Sequence, residues 1–270
     1  MEGSLQMPSP IRKLFDNYII WFYKRMDELV VVNPSFIPKL EAYGLERKHI
    51  HYIPNFVSSQ TFYPVSARER RALRKQHSLK EQSFIVLGVG QVQYRKGILD
   101  FIAVAKRMPD VQFIWVGGFS FGKITSGYSE LKKIYENPPA NVKFVGIVDR
   151  EAMNTYYNLA DLLFLPSFNE LFPMAILEAM NVERPLLLRE LPLYEDILFD
   201  YYLKGQSINE FVAKIRSLKE NDSYYAKAKQ KAAKGARHYS EERLAEIWND
   251  FYTLMAWKRG QMVHGYKHSI

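Results

Sequence analysis

Two stretches of this sequence set charged side chains beside glycines or at the mouth of a helix, an arrangement suited to holding a phosphate. In GVGQVQYRKG (Gly88–Gly97) the glycines, Gly90 among them, let backbone N–H groups approach an anion, and Arg95 and Lys96 bring positive charge to the next helix. The Gly-Lys-Ser/Thr order of a Walker loop is absent. The same residues also fit an ordinary strand-to-helix turn with a solvated Arg-Lys pair. In PSFNELFPMAILEAM (Pro166–Met180) a short loop carries Asn169 and Glu170, and Pro173 falls near the first turn of a helix. The N–H groups of Phe172, Met174 and Ala175 and the helix dipole together favour a phosphate above them. Glu170 can accept hydrogen bonds from sugar hydroxyls, and Glu178, about two turns into the helix, from a ribose. A plainer account makes Glu170 an acidic residue suited to a helix N-terminus and Glu178 part of a solvated face. Yet Glu178 lies within AILEAM, a mostly apolar stretch where an unpaired carboxylate is costly.

Such residues need a scaffold, and the flanking pattern supplies one. Short apolar runs read as buried strands: FIVLGVG (Phe84–Gly90), VQFIWVGG (Val111–Gly118), NVKFVGIV (Asn141–Val148), DLLFLPS (Asp161–Ser167) and PLLL (Pro185–Leu188). Between them, helical spacing of apolar residues predicts helices over Gly97–Met108, Ser129–Glu136, Glu151–Leu159 and Pro173–Asn181. Strands alternating with helices imply an α/β fold, a doubly wound parallel sheet whose ligands sit beyond the carboxyl ends of the strands.

The residues before Phe84 follow another pattern. Ile11, Leu14, Phe15, Tyr18, Ile19, Phe22 and Met26 form one helical stripe. ELVVVNP (Glu28–Pro34) and HIHYIPNFV (His49–Val57) read as strands, IPKLEAYG (Ile37–Gly44) as a short helix, and Ser66–Lys80 as a strongly basic helix. A boundary near Phe62–Pro64 and a second before Ser240 divide the chain into 1–63, 64–239 and 240–270. Beyond Gly205 the pattern is helical and polar, with Ser223 and Ser240 as candidate N-caps, and the basic end KRGQMVHGYKHSI reads as frayed.

The 270 residues, 47% hydrophobic, are enough to bury a core. The absence of cysteine excludes disulfide scaffolds and thiolate metal sites and fits a reducing cytoplasm. No apolar run is long enough to span a membrane, and no signal-peptide pattern opens the chain. A net charge of +8 points to a polyanionic partner: nucleic acid, an anionic membrane or a phosphorylated ligand.

The order of glycine-rich strand, Arg-Lys-Gly, Phe-x-Gly-x-Val, Pro-Ser and Glu-x7-Glu followed by Ala-Met resembles the C-terminal domain of glycosyltransferase family 4, the glycosyl transferases group 1. The matching stretches are Gly88–Gly97, Phe144–Val148 and Pro166–Met180, while VVNPS and YIPNFV resemble the end of the first domain and the linker. The resemblance runs from about residue 28 to about residue 255. It implies the Rossmann-like C-terminal half of a GT-B fold, a partial N-terminal α/β remnant and C-terminal helices. It further implies a UDP-sugar donor, retention of anomeric configuration and no cofactor. Lys96 would contact the donor diphosphate, Gly146 to Val148 would line the base, Glu170 would hold the transferred sugar and Glu178 the ribose. No Asp-x-Asp occurs, which argues against the metal-dependent GT-A class, and the six histidines show no ligand spacing. Gln91 stands where the family usually has arginine, with Arg95 as the candidate replacement. Pro173 replaces the usual glycine after Glu-x-Phe and removes an N–H. Much of the N-terminal acceptor domain is missing by this likeness. The chain is therefore expected to transfer poorly alone, or to work with a separate N-terminal half.

The acceptor is read from weaker signs. RKGILDFIAVAKRMPDVQFIW and NELFPMAILEAM are similar to Gram-positive glycosyl-diacylglycerol synthases, which implies a membrane lipid acceptor at the cytoplasmic face; a cell-surface polysaccharide is the alternative. Ile11–Met26, aromatic with Arg and Lys at both ends, suits an anionic membrane surface and equally a helix buried in the first domain. A non-catalytic nucleotide-sugar-binding module is a rival reading from another class. A nucleic-acid partner would rest on the net charge and the basic helix alone, without a recognised motif, and none is expected.

Overall fold

Each apolar run folds as a strand. The computed structural model describes residues 9–120, 122 and 125–267. In chain order these form α1 (Ser9–Tyr23), β1 (Leu29–Val31), α2 (Ile37–Ala42), β2 (Ile50–Tyr52) and α3 (Ala67–Gln76). The alternating region follows as β3 (Ile85–Val89), α4 (Ile98–Lys106), β4 (Gln112–Val116), α5 (Tyr128–Glu136), β5 (Val142–Gly146), α6 (Arg150–Leu159), β6 (Leu162–Leu165), α7 (Met174–Asn181) and β7 (Leu186–Arg189). The chain continues through α8 (Glu195–Leu198), β8 (Leu203–Gly205), α9 (Ile208–Glu220), α10 (Asp222–His238) and α11 (Glu241–Lys267).

The six-stranded sheet has the order β5-β4-β3-β6-β7-β8. All five strand pairings are parallel. The chain winds outward from β3 to one edge, then returns to start again at β6, so the loops after β3 and β6 diverge and leave a crevice at the switch point. Period-two alternation splits the core into two layers. Ile85, Leu87, Leu163 and Leu165 face one layer with Ile176, Leu177 and Met180 of α7. Val86, Phe113, Trp115, Leu162 and Phe164 face the other with Phe101 of α4 and Phe211 of α9. Phe101 meets Phe113 and Trp115 edge-on at 5.3 and 5.0 Å, and burying one such ring contributes about 1.5–3 kcal/mol.

Several expectations change. The basic helix turns part of its charge inward, while Arg68, Arg71 and Lys75 stay exposed: Arg74 is 5% exposed. Arg70 and Arg74 both turn inward to the Asp161 carboxylate and to the carbonyls of Asn158, Leu159 and Ala160. That arrangement satisfies the free ends of α6 and β6 with guanidinium donors. Asn221, not Ser223, caps α10, accepting from the Tyr224 N–H at 2.9 Å. Pro173 is the extended residue before α7 rather than a helical one. The strand β8 and the short helix α8 had no periodic signal. The C-terminal tail expected to fray is helical to Lys267, and residues 268–270 lie outside the described residues, as does the side chain of Ile11. Of the rest of the N-terminal stripe, Ile19 is half-buried and the others face solvent, with Leu14 72% and Tyr18 61% exposed; Trp21 beside them is 50% exposed. Among the described residues, no helix is long and apolar enough to cross a membrane.

Candidate functional site

The loop after β3 and the loop after β6 meet at the switch point because Gly97 allows it. Its φ is +72°, and a β-carbon there would overlap the Pro166 carbonyl oxygen. The glycine expected for an anion cradle thus also serves the close approach of two loops. Next to it, Lys96 Nζ donates to Glu170 Oε1 at 2.6 Å and to Oε2 at 2.9 Å. The two side chains are 15% and 5% exposed. Arg95 donates to the Asn169 carbonyl at 2.9 Å and stands 3.7 Å from Glu170 Oε2. The Asn169 loop is fixed further by Phe168 N–H donating to the Arg95 carbonyl at 2.8 Å and Arg189 donating to the Pro166 carbonyl at 3.0 Å.

Gly90 ends β3 at φ +140°, where a β-carbon would touch the Lys96 side chain at 3.4 Å. Gln91 accepts from the Gln93 amide at 2.7 Å and is directed at that neighbour. Gly146 closes β5, its carbonyl accepting from the Gly117 N–H at 2.8 Å. With Val148 it lies two strands from β3, at the same end of the sheet. Phe172 is a core residue, 5% exposed and packed against Tyr239 at 5.2 Å. Met174 and Ala175 open α7, where their N–H groups have no helical acceptor.

Glu178 is not on a solvated face. It is 7% exposed, and Tyr157, wholly buried, donates its hydroxyl to Oε2 at 2.6 Å. Oε1 stands 3.9 Å from Arg150, a charge but not a hydrogen bond. Burial pushes the Glu178 carboxyl above its ordinary range, with Tyr157 and Arg150 pulling the other way. Burial and the nearby Glu178 charge hold the Tyr157 phenol well above its usual value. Ionised Glu178 therefore keeps one oxygen able to accept from a ligand hydroxyl.

The structure thus brings Arg95, Lys96 and Glu170 into one cluster and leaves Glu178 in a second with Tyr157 and Arg150. It adds residues that the sequence did not single out: Tyr157, Arg150, Ser167, Gln93 and Tyr194. Gln93 Oε1, Ser167 Oγ and the Tyr194 hydroxyl are buried polar atoms with no hydrogen-bond partner among the described residues. They stand in the loops after β3, β6 and β7, beyond the carboxyl ends of the sheet, where a ligand is expected. Among the described residues, no group of three His, Asp or Glu side chains is placed to hold a metal ion.

Comparison with known proteins agrees with this fold. The family model described as glycosyl transferases group 1 matches residues 69–235. The alpha-galactosylglucosyldiacylglycerol synthase of Streptococcus pneumoniae (strain ATCC BAA-255 / R6) is 47% identical over 256 residues, covering 95% of this chain and 68% of that protein. The processive diacylglycerol alpha-glucosyltransferase of Acholeplasma laidlawii is 31% identical over 211 residues, covering 75% of this chain and 62% of that one. Among solved structures, the sucrose-phosphate synthase of Thermosynechococcus elongatus superposes with a TM-score of 0.79 at 20% identity, covering 96% of this chain and 65% of that one. Anabaena HepE in complex with UDP and glucose gives 0.73 at 19%, covering 85% and 63%. These structural neighbours are GT-B glycosyltransferases, and the likeness bears out the Rossmann-like sheet expected from the sequence.

Proposed function

This chain belongs to the glycosyl transferases group 1 family, and from that footing we propose that it is the donor-binding part of a retaining family 4 hexosyltransferase using a UDP-sugar. The observation that carries the reading is the Lys96–Glu170 pair at the switch point, two opposite charges that a nucleotide sugar can separate and satisfy individually. The diphosphate takes Lys96, supported by Arg95 and the first-turn N–H groups of α7. Glu170 then accepts from the sugar hydroxyls, and Glu178 accepts from the ribose through Oε1. Gly146 and Val148 line the base. As the bond to the sugar breaks, charge grows on the departing diphosphate, and an already placed ammonium stabilises it without reorganisation.

The acceptor in this reading is a membrane glycolipid or diacylglycerol at the cytoplasmic face. Two relatives are named for action on diacylglycerol lipids. The exposed aromatic face of α1, with Arg25 held 4.3 Å over the Trp21 ring, fits a headgroup interface. The chain spans 68% and 62% of those relatives, so acceptor recognition is proposed for the whole protein. Calorimetric titration with UDP-glucose, UDP-galactose and UDP-N-acetylglucosamine tests the donor site. Saturable binding of one sugar nucleotide, weakened about tenfold or more by Lys96→Ala and by Glu178→Ala, is the expected result. Absence of binding, or unchanged affinity in both variants, overturns the assignment.

A further inference from the structure

Glu170 sits in a loop without regular structure, so something must fix its carboxylate to within the tolerance of a binding site. The backbone carbonyls of its two neighbours, Asn169 and Leu171, are each held by a side chain from a distant part of the chain. Before it, Arg95 donates to the Asn169 carbonyl at 2.9 Å. After it, Asn33 Nδ2 donates to the Leu171 carbonyl at 3.0 Å. The Leu171 side chain is 62% exposed and does not anchor the loop.

Asn33 follows β1 and is 0% exposed. Its Oδ1 accepts from the Ser35 N–H at 2.9 Å, which starts the 3-10 turn Pro34–Phe36. Its Nδ2 also reaches the Leu193 carbonyl at 3.5 Å. Leu193 precedes Tyr194, which is 1% exposed. One amide therefore ties the start of the chain to the loop carrying Glu170 and to the loop after β7. Acceptor and donors are both required, which an amide has and a carboxylate or an alkyl group lacks.

We propose that Asn33 is a positioning residue of the donor site, acting through the Leu171 carbonyl to hold Glu170 where it meets the transferred sugar. The inference rests on the donor-site reading above. It makes the sugar-specific part of binding depend on a residue 138 positions before Leu171 in sequence, in the segment that precedes the six-stranded sheet. The nucleotide part, held by Lys96 and Glu178, does not depend on it.

The test compares affinity for UDP with affinity for UDP-glucose or UDP-galactose, whichever the wild-type chain binds, in Asn33→Asp, Asn33→Ala and Glu170→Gln. Asn141→Ala is the control. Asn141 is another amide bridging carbonyls, those of Ala105, Met108 and Val111 at 2.9, 2.9 and 3.0 Å, at the opposite end of the sheet. The wild type is expected to prefer the sugar nucleotide over UDP. Asn33→Asp and Asn33→Ala should each cut that preference about fivefold or more, leaving UDP affinity within about twofold, and should add nothing in the Glu170→Gln background. Asn141→Ala should keep the full preference at a comparable loss of melting temperature. Should Asn33→Asp fail to fold, Asn33→Ala carries the comparison, because it leaves no carboxylate against the two carbonyls. A wild-type preference retained in Asn33→Ala overturns the proposal, as does a loss that falls equally on UDP and the sugar nucleotide. A wild-type chain that binds neither ligand overturns the donor-site reading and this inference with it.

Discussion

Replacing Lys96 by methionine keeps most of the apolar length of the side chain and removes the ammonium that donates to both oxygens of Glu170. Glu170 is left 5% exposed, with Arg95 3.7 Å away as its remaining cation. Breaking a wholly buried ion pair from one side costs about 3–5 kcal/mol. Lys96 is 15% exposed and Arg95 compensates in part, which brings the cost to about 2–3 kcal/mol. For a chain of this size that is about 4–12 °C in melting temperature. Adding Glu170→Gln removes the orphaned charge, so the double variant should return to within about 1 kcal/mol of the wild type. Urea and thermal unfolding of the four chains without ligand close the cycle. A Lys96→Met chain within about 0.5 kcal/mol of the wild type, or a double variant that loses the sum of the single losses, refutes the buried pair as described.

Other expected outcomes follow from the same network. Glu178 has a raised folded pKa, so the folded state holds its proton more tightly than the unfolded one. The stability it contributes is complete below the ordinary carboxyl value of 4.5 and declines as pH rises through the folded value. Glu178→Gln should therefore melt higher than the wild type at neutral pH, with the gain vanishing toward about pH 4, while UDP affinity falls; a pH-independent difference speaks against it. Tyr194→Phe deletes a buried hydroxyl that has no partner among the described residues. It should leave the melting temperature unchanged or raise it by up to about 1 kcal/mol equivalent, and a loss of that size would show that the hydroxyl is satisfied. At Glu28, burial pushes the carboxyl up, but hydrogen bonds with Lys258, His51 and His49 outweigh it and hold the group at about 2. Its stabilisation is present above 4.5 and lost as pH falls through about 2. Glu28→Gln should flatten acid unfolding across that window and speed amide exchange in α11, and unchanged exchange there counts against the contact.

The sheet was legible because each central strand is buried on both faces and reads as an unbroken apolar run, as in FIVLG and LLFL. Three-residue β8 has too few positions to show a period, and Asn221 outcompetes Ser223 as a cap because its side chain reaches the Tyr224 N–H. Glu178 was legible as an oddity, a carboxylate inside AILEAM, but its partner Tyr157 is on a different helix. Local sequence likewise does not say that Arg70 and Arg74 turn toward Asp161, about 90 residues on. The spacing of Arg70 and Arg74, one helical turn apart, was a signal that one face of α3 is engaged. Lys96 and Glu170 each stood out by position. Their contact, across 74 residues, follows from the strand order, which brings β3 beside β6, and from Gly97, which lets the loops touch.

On the donor-site reading, the same contact bears on turnover. With a nucleotide sugar in place, Lys96 and Glu170 each have a ligand group to hold. Once the sugar has left, Glu170 is stranded in a nearly dry pocket while UDP still occupies Lys96. When UDP departs, the ammonium and the carboxylate meet again, and the direct pair at 2.6 Å is the state to which the site relaxes. The pairing that is opened to admit the donor thus closes again behind the product, so neither charge is left alone between turnovers.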